Sequence, residues 1–283
     1  MRKLIVDNKF NNKKLSNFLL AHFNGLSVNT VYKTLRKKDI LINNIRIKDN
    51  VTVFTGDIVT IYIPDKYLFK QVNLPIIYED NNIIVVNKPS GIEVVDGKYE
   101  TLTTILTNQL NSSVFPCHRL DRNTSGLILF AKNKDSLNIL LKKFKNKEIN
   151  KFYKCTVYGI PQTKFATMEA YLFKDNKKSI VYIYDKPKTG AVKIITSYKV
   201  LKTDIKQNIA TLEVELHTGK THQIRAHLAH IGHPIIGDGK YGKNEINKKF
   251  NKSTQELFAY KLIFNFKTDS GLIDYLNNKE IIL

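Results

Sequence analysis

The stretch His118-Arg119-Leu120-Asp121-Arg122-Asn123-Thr124-Ser125-Gly126 sets one carboxylate between two arginines and ends on a turn signal. Flanking guanidinium groups favour the ionised acid. An ionised, oriented aspartate can act as a nucleophile or base. The apolar run Leu127 to Ala131 that follows, bounded by Gly126 and Lys132, predicts a buried strand. Asp121 then stands in the loop entering that strand, where a rigid scaffold commonly holds chemistry-bearing side chains. The same residues also read as an Asp–Arg pair that only pins the loop, because structural ion pairs are common near strand ends.

A second cluster runs from His217 to Gly242 and holds five histidines, at positions 217, 222, 227, 230 and 233. Their spacing fits no common metal-ligand pattern, HExxH is missing, and Cys117 and Cys155 lie far away in sequence, so no metal is expected. The run instead predicts a helix from about Thr221, with Ile224, Leu228 and Ile231 on its buried side. Thr221 is the expected cap, leaving helix amides for a phosphate. Gly232 and Pro234 stop the helix. Gln223 and Arg225 fall early on it and can face a cleft; taken alone, Arg225 also reads as a surface helix charge.

Further elements must position these groups. Ile76 to Gly91 reads as a hairpin around Asp80-Asn81-Asn82 followed by a Lys88-Pro89-Ser90-Gly91 loop, with Lys88 either near the cleft or a plain loop lysine. Thr101–Leu110 and Asp135–Phe144 predict helices, the second with Leu137, Leu140, Leu141 and Phe144 on one face. Asn150–Gly159 alternates as a strand carrying Tyr153, whose usual fate there is half-burial. Residues 161–200 suggest a basic loop at Lys174–Lys178, a turn at Lys186–Gly190 and a strand after it. Leu212–Leu216 and Leu257–Phe264 also read as strands.

The front of the chain is organised differently. Lys14–Phe23 places Leu15, Phe18, Leu19 and Phe23 at helical spacing, with Asn24-Gly25 as its end. Ser27 is the expected N-cap of a second helix from Val28 to about Lys38, with Val28, Val31 and Leu35 on its apolar face and Lys33, Arg36, Lys37 and Lys38 on its polar one. Asp39–Ile47 alternates around Asn43-Asn44, and Val51–Ile63 suggests another strand pair about Thr55-Gly56-Asp57. The basic cluster can contact phosphates or be a solvated face.

Lys+Arg 45 against Asp+Glu 25 gives a net charge of +20, which points to a polyanionic partner, either nucleic acid or an anionic membrane surface. No apolar run reaches transmembrane length and no signal-peptide core opens the chain. Two cysteines fit a reducing cytosol better than a disulfide framework.

The string HRLDRNTSGLILFAK resembles the RluA family of RNA pseudouridine synthases, whose pattern runs HRLDxxTSGLLLxAK, with Asn123 where many members carry Asp. Ile76–Gly91 resembles that family's opening hairpin, and Lys151-Phe152-Tyr153 its K-x-Y strand. Thr218 to Gly242 resembles TGRTHQIRVHLxxxGHPIxGDxxYG, with Lys220 for Arg and Ala226 for Val. Phe258 stands where many relatives have His. Two short helices and small strands at the front, carried by LSNFLLAHF, VYKTLRKKDILINNIRIK and TGDIVTIYIP, resemble the S4 RNA-binding domain.

These resemblances imply an α+β protein: an S4-like α/β domain at 1–64, a linker at 65–75 and a catalytic domain at 76–283 on a mixed, mostly antiparallel sheet flanked by helices. They imply an isomerase that turns uridine into pseudouridine in RNA without a cofactor or metal. Asp121 is then the nucleophile, Tyr153 the ring that stacks on the uracil, and Arg225 the partner of Asp121. Arg119 holds the flipped nucleotide or fills its vacated space. Lys220, His222, Gln223, Lys33, Arg36, Lys37, Lys38 and Arg46 are the further RNA contacts. The expected substrate is 23S ribosomal RNA or the assembling large subunit, handled by a cytoplasmic monomer. The VYKTLRKKDILINNIRIK stretch leans toward the RluC-like over the RluD-like branch. Alternatives are a tRNA substrate, a catalytically silent ribosome assembly factor, or a basic membrane-surface protein.

Overall fold

A computed structural model describes residues 1–283 apart from 24, 69–72, 96, 98 and 99. Contacts divide the chain into two compact units, residues 1–73 with 97–100, and residues 74–96 with 101–283.

The first unit contains β1 (Arg2–Ile5), β2 (Lys13–Lys14), α1 (Leu15–His22), α2 (Val28–Arg36), β3 (Ile40–Ile42), β4 (Ile45–Arg46), β5 (Thr52–Val53), β6 (Ile58–Ile61) and α3 (Asp65–Leu68). Leu15, Phe18, Leu19 and Phe23 all enter its core, as their helical spacing requires. The expected stop at Asn24-Gly25 falls partly on residue 24, outside the described residues. Ser27 caps α2 by accepting the Thr30 amide at 3.1 Å. Val31 and Leu35 are buried, but Val28, the first residue of the helix, is 50% exposed. Asn43 and Asn44 both take positive φ, 49° and 67°, as a two-residue hairpin turn between β3 and β4 demands.

The reading of 51–63 as a strand pair needs correction. β5 pairs with β2, while β6 lies between β1 and β3 in a sheet of order β1-β6-β3-β4. The turn is docked on Val6, whose N–H donates to Asp57 O and whose O accepts from Gly56 N, both at 2.9 Å. That docking carries β6 to β1 rather than back to β5. Within the stretch read as a linker, Asp65–Leu68 is helical and Leu68 is buried in the core; positions 69–72 lie outside the described residues.

The second unit contains β7 (Ile76–Glu79), β8 (Ile83–Lys88), α4 (Leu102–Leu110), β9 (Phe115–Pro116), β10 (Ser125–Ala131), α5 (Lys134–Lys145), β11 (Ile149–Tyr158), β12 (Phe165–Asp175), β13 (Ile180–Tyr184), β14 (Val192–Asp204), β15 (Ile209–Leu216), α6 (Gln223–His230), α7 (Asn244–Lys249), β16 (Leu257–Phe264) and β17 (Glu280–Ile282). One large sheet runs β13-β12-β14-β15-β11-β16-β10-β8-β7, with β9 on β10 and β17 on β16. Among the described residues its pairings are antiparallel except β10 with β16. The mixed, mostly antiparallel sheet with flanking helices is the fold class the sequence implies.

The middle of the sheet is apolar because both faces are covered. Ile83 to Val86 and Leu127 to Ala131 are fully buried, and such continuous runs mark central strands. Leu127, Leu129 and Ala131 share one core cluster with Leu140 of α5. Gly126 has φ +110°, and a Cβ there would lie 2.0 Å from Ala259 O, so only glycine lets β10 meet β16 at this register. Ala259 also pairs with Tyr153, which puts Tyr153 and Gly126 on either side of one strand, about 10 Å apart at ordinary strand spacing.

Candidate active site

The Asp121 loop enters β10 and is held from below. The Lys88 ammonium, fully buried, donates to Arg122 O at 2.8 Å and to Pro89 O at 2.9 Å. Arg122 Nε donates to Gly91 O at 3.0 Å, Gly91 N to Arg122 O at 2.8 Å, and Ser90 Oγ to Asn123 O at 3.0 Å. Thr124 N closes a tight turn on Asp121 O at 3.0 Å, and Gln255 Nε2 donates to Thr124 Oγ1 at 2.8 Å. The Lys-Pro-Ser-Gly loop is therefore a clamp for the Asp121 loop. Burial pushes the Lys88 pKa down to about 8, opposed by the charge of Asp121.

The two neighbouring arginines do not pair with Asp121. Arg122 is turned to Gly91, and Arg119 is exposed along the wall of a cleft of about 1310 Å3. The counter-charge comes from α6. Arg225 Nη1 donates to Asp121 Oδ2 at 2.8 Å, with the arginine side chain 8% and the aspartate side chain 25% exposed. The other edge of the guanidinium faces Asp238: Nε to Oδ2 at 2.7 Å and Nη2 to Oδ1 at 2.9 Å. Both carboxylates hold Arg225 charged, outweighing burial, and the arginine holds Asp238 below the usual carboxylate range.

Tyr153 lies on β11 where its register against β16 shifts between Phe152 and Tyr153, an irregularity of the kind that re-aims a side chain. Its ring lines the same cleft and is nearly buried. Burial, with the charge of Asp121 second, raises the phenol above its ordinary range and keeps it neutral. Lys151, half-buried, lines the cleft with its ammonium 5.1 Å from the Phe144 ring centroid.

Asp121, Tyr153, Arg225, Arg119, Lys220, His222 and Gln223 all line this one cleft. Gln223, however, is buried and fully engaged within the protein. Its Nε2 donates to Ile195 O at 3.1 Å and Thr196 Oγ1 at 3.0 Å, and its Oε1 accepts from Thr218 Oγ1 at 2.9 Å and Lys220 N at 3.1 Å. It staples the Thr218–Lys220 turn to β14 and has no free group for RNA. The Thr221 cap is also corrected: α6 starts after His222, whose φ is 52°, with no side-chain cap. His222 Nδ1 meets Tyr241 Oη at 2.8 Å, and Tyr241 Oη accepts from Val181 N at 2.9 Å. Burial lowers the His222 pKa, so the phenol proton is assigned to Nδ1 as acceptor and the ring proton to Nε2.

Three of the other four histidines have separate partners, His217 with Ser197, His227 with Thr196 and His230 with Asp185, while the buried His233 Nδ1 has no hydrogen-bond partner among the described residues. Among the described residues no three His, Cys, Asp or Glu side chains are placed to hold a metal. Lys33, Arg36, Lys37, Lys38 and Arg46 lie outside the cleft, exposed on α2, the turn after it and β4 of the first unit. Sequence reading gave no role to Asp238, Tyr241 or Lys151, although all three stand inside the quoted motifs.

Residues 82–230 match the family model described as RNA pseudouridylate synthase. A Mycoplasma capricolum subsp. capricolum protein named uncharacterized RNA pseudouridine synthase is 35% identical, with 100% of this chain and 97% of that one covered. A Buchnera aphidicola protein named ribosomal large subunit pseudouridine synthase C is 32% identical, with 86% of this chain and 82% of that one covered. The fold is shared with the human RNA pseudouridylate synthase domain containing 1 structure, at TM-score 0.61 and 24% identity over 71% of this chain and 82% of that one. Among the described residues no helix is long and apolar enough to cross a membrane. With the family model spanning more than half of its length, the chain belongs to the RNA pseudouridylate synthases, which are isomerases.

Proposed function

We propose that the enzyme converts uridines of the large-subunit ribosomal RNA to pseudouridine, with Asp121 as the nucleophile. One observation carries the assignment. Asp121 Oδ2 takes a single N–H from Arg225, while Oδ1 has no hydrogen-bond partner among the described residues, and the residue lines the cleft. The carboxylate is thus aimed by a charged partner, with one oxygen left to react.

A uridine in a helix has to leave its stack before the cleft can take it. Tyr153 offers a neutral ring for the base to stack on, and Arg119 is the exposed guanidinium beside the loop. Asp121 Oδ1 engages the nucleoside, the N1–C1′ bond breaks, and the base turns. A C5–C1′ bond then forms; C5 loses its proton and N1 ends protonated. Atoms and oxidation state balance without a cofactor. The first unit, short helices on small sheets with Lys33, Arg36, Lys37, Lys38 and Arg46 exposed on α2, the turn after it and β4, fits an S4-like RNA-binding role. The relatives named for the large subunit favour ribosomal over transfer RNA.

Mapping pseudouridines in total RNA from cells with and without the chain tests the target. Lost positions in large-subunit RNA support it; losses confined to tRNA replace it. Retained activity in Asp121→Asn would overturn the nucleophile assignment.

A further inference from the structure

The role given to Asp121 requires one free carboxylate oxygen, and Asp121 does not secure that by itself. Aspartate beside an unrestrained arginine tends to close into a two-point fork, each oxygen on its own guanidinium nitrogen. Here that fork forms with the other acid. Asp238 occupies Nε and Nη2 of Arg225 at 2.7 and 2.9 Å, leaving Nη1 for Asp121. We infer that Asp238 is a positioning residue: by filling the Nε–Nη2 edge of Arg225 it restricts that arginine to a one-point contact with Asp121 and leaves Asp121 Oδ1 to the substrate. The inference rests on reading Asp121 as the nucleophile.

Asp238 is built to be immovable. It is fully buried, and its Oδ1 also accepts from Lys240 N at 2.8 Å and Tyr241 N at 3.1 Å. Its carbonyl takes Gly242 N at 3.0 Å and Asn247 Nδ2 at 3.1 Å. The preceding Gly237 has φ +82°, and a Cβ there would lie 2.0 Å from Thr254 O, so the turn is fixed against its neighbour. The Tyr241 ring, 5.3 Å from the guanidinium carbon, packs beside Arg225. Charge gives a second reason for two acids on one base. When Asp121 is engaged by substrate its charge falls, and a buried arginine with no other partner would follow it or be left uncompensated. Paired with Asp238, Arg225 has a counter-charge at every stage.

The test is a double-mutant cycle on single-turnover pseudouridine formation, with RNA affinity and thermal unfolding measured beside it. Asp238→Asn should slow the reaction roughly 10- to 100-fold, the range for a misplaced reacting group, with RNA Kd within about threefold. Arg225→Lys with Asp238→Asn should be within about twofold of Arg225→Lys alone, because the second residue acts through the first. A single mutant within threefold of wild type, or losses that multiply, overturns the inference. Should Asp238→Asn not fold, the Arg225 Nε–H exchange rate decides. Slow exchange retained in Asp121→Asn supports an arginine held by Asp238; exchange that becomes fast there overturns it. Asp121→Asn in the activity assay tests the nucleophile separately: product from that variant removes the proposed function, while the Nε–H reading still judges Asp238.

Discussion

Cations are placed in opposite ways on the two units of this molecule. On the first unit Lys33, Arg36, Lys37, Lys38 and Arg46 are exposed, and Arg46 Nη1 donates to Lys38 O at 3.1 Å. In the cleft of the second unit Arg225 is nearly buried, with three nitrogens on two carboxylates. A solvated charge acts over a Debye length and tolerates many positions. A buried one is strong only in one geometry, and its loss exposes its partners. The surface cations therefore suit capture of a polyanion, and Arg225 suits the aiming of one atom. If that contrast is real, the two sets must respond to substitution on different scales and in different assays.

The largest effect belongs to the cleft. Asp121→Asn should lower the single-turnover rate by at least about 10³-fold, as for removal of a covalent nucleophile, while RNA affinity by filter binding stays within a few-fold. Equal loss of binding and rate would make Asp121 a binding residue and erase the contrast. Arg225→Met comes next. It leaves Asp238 charged and buried, so urea unfolding should show a loss of about 3–5 kcal/mol, together with loss of activity. A variant as stable as wild type would mean that Arg225 is not the buried keystone its bonds describe.

The parts of this design that the sequence revealed are those carried by contiguous strings. The Asp121 loop, the β8 and β10 runs and the Ser27 cap follow from local pattern, and each element formed where it was expected. What escaped depends on tertiary partners. Asp238 sits 13 residues from Arg225 across a turn, so nothing periodic links them. Gln223 looked like a ligand contact because it is polar and early on a helix, yet all its hydrogen-bonding capacity closes on β14 and a neighbouring turn. β1 is four residues with no clean alternation, and β5 and β6 separate because a turn docks on Val6. The arginines flanking Asp121 were the natural partners by adjacency; side-chain direction, which adjacency does not set, gave the contact to Arg225 instead.

Gln223→Ala sharpens the comparison from the structural side. Removing the amide takes one hydrogen-bond partner from each of Ile195 O, Thr196 Oγ1, Thr218 Oγ1 and Lys220 N, and the buried losses matter most. Stability should fall by about 1–3 kcal/mol with RNA affinity nearly unchanged; a large affinity loss in a stable variant would restore Gln223 as a contact. A pH series probes the same packed region. Burial, the main cause, lowers the His227 pKa to about 4. The unfolded chain then binds a proton near pH 6.5 that the folded one refuses, so stability is full above 6.5 and is lost as pH falls toward 4. At pH 5.5 the His227 share is on the order of 1 kcal/mol, and His227→Gln should flatten that limb. His118, lowered to about 3 by burial, loses stability in the same direction.

The smallest single effects should come from the first unit, and they test the contrast most directly. Lys33, Arg36 and Lys37 sit at the end of α2, where the helix dipole favours cations. Replacing one of them with Ala removes that local benefit, about 0.3–1 kcal/mol at most, and one potential phosphate contact. Each true contact should lower the slope of log affinity against log salt by roughly 0.7–0.9. The rate constant at saturating RNA should not change, because these side chains lie outside the cleft. A slope that falls stepwise while the saturated rate stays constant keeps capture and chemistry in separate units. A substitution at Lys37 that slows the saturated rate would join them, and the division drawn between exposed and buried cations would then fail.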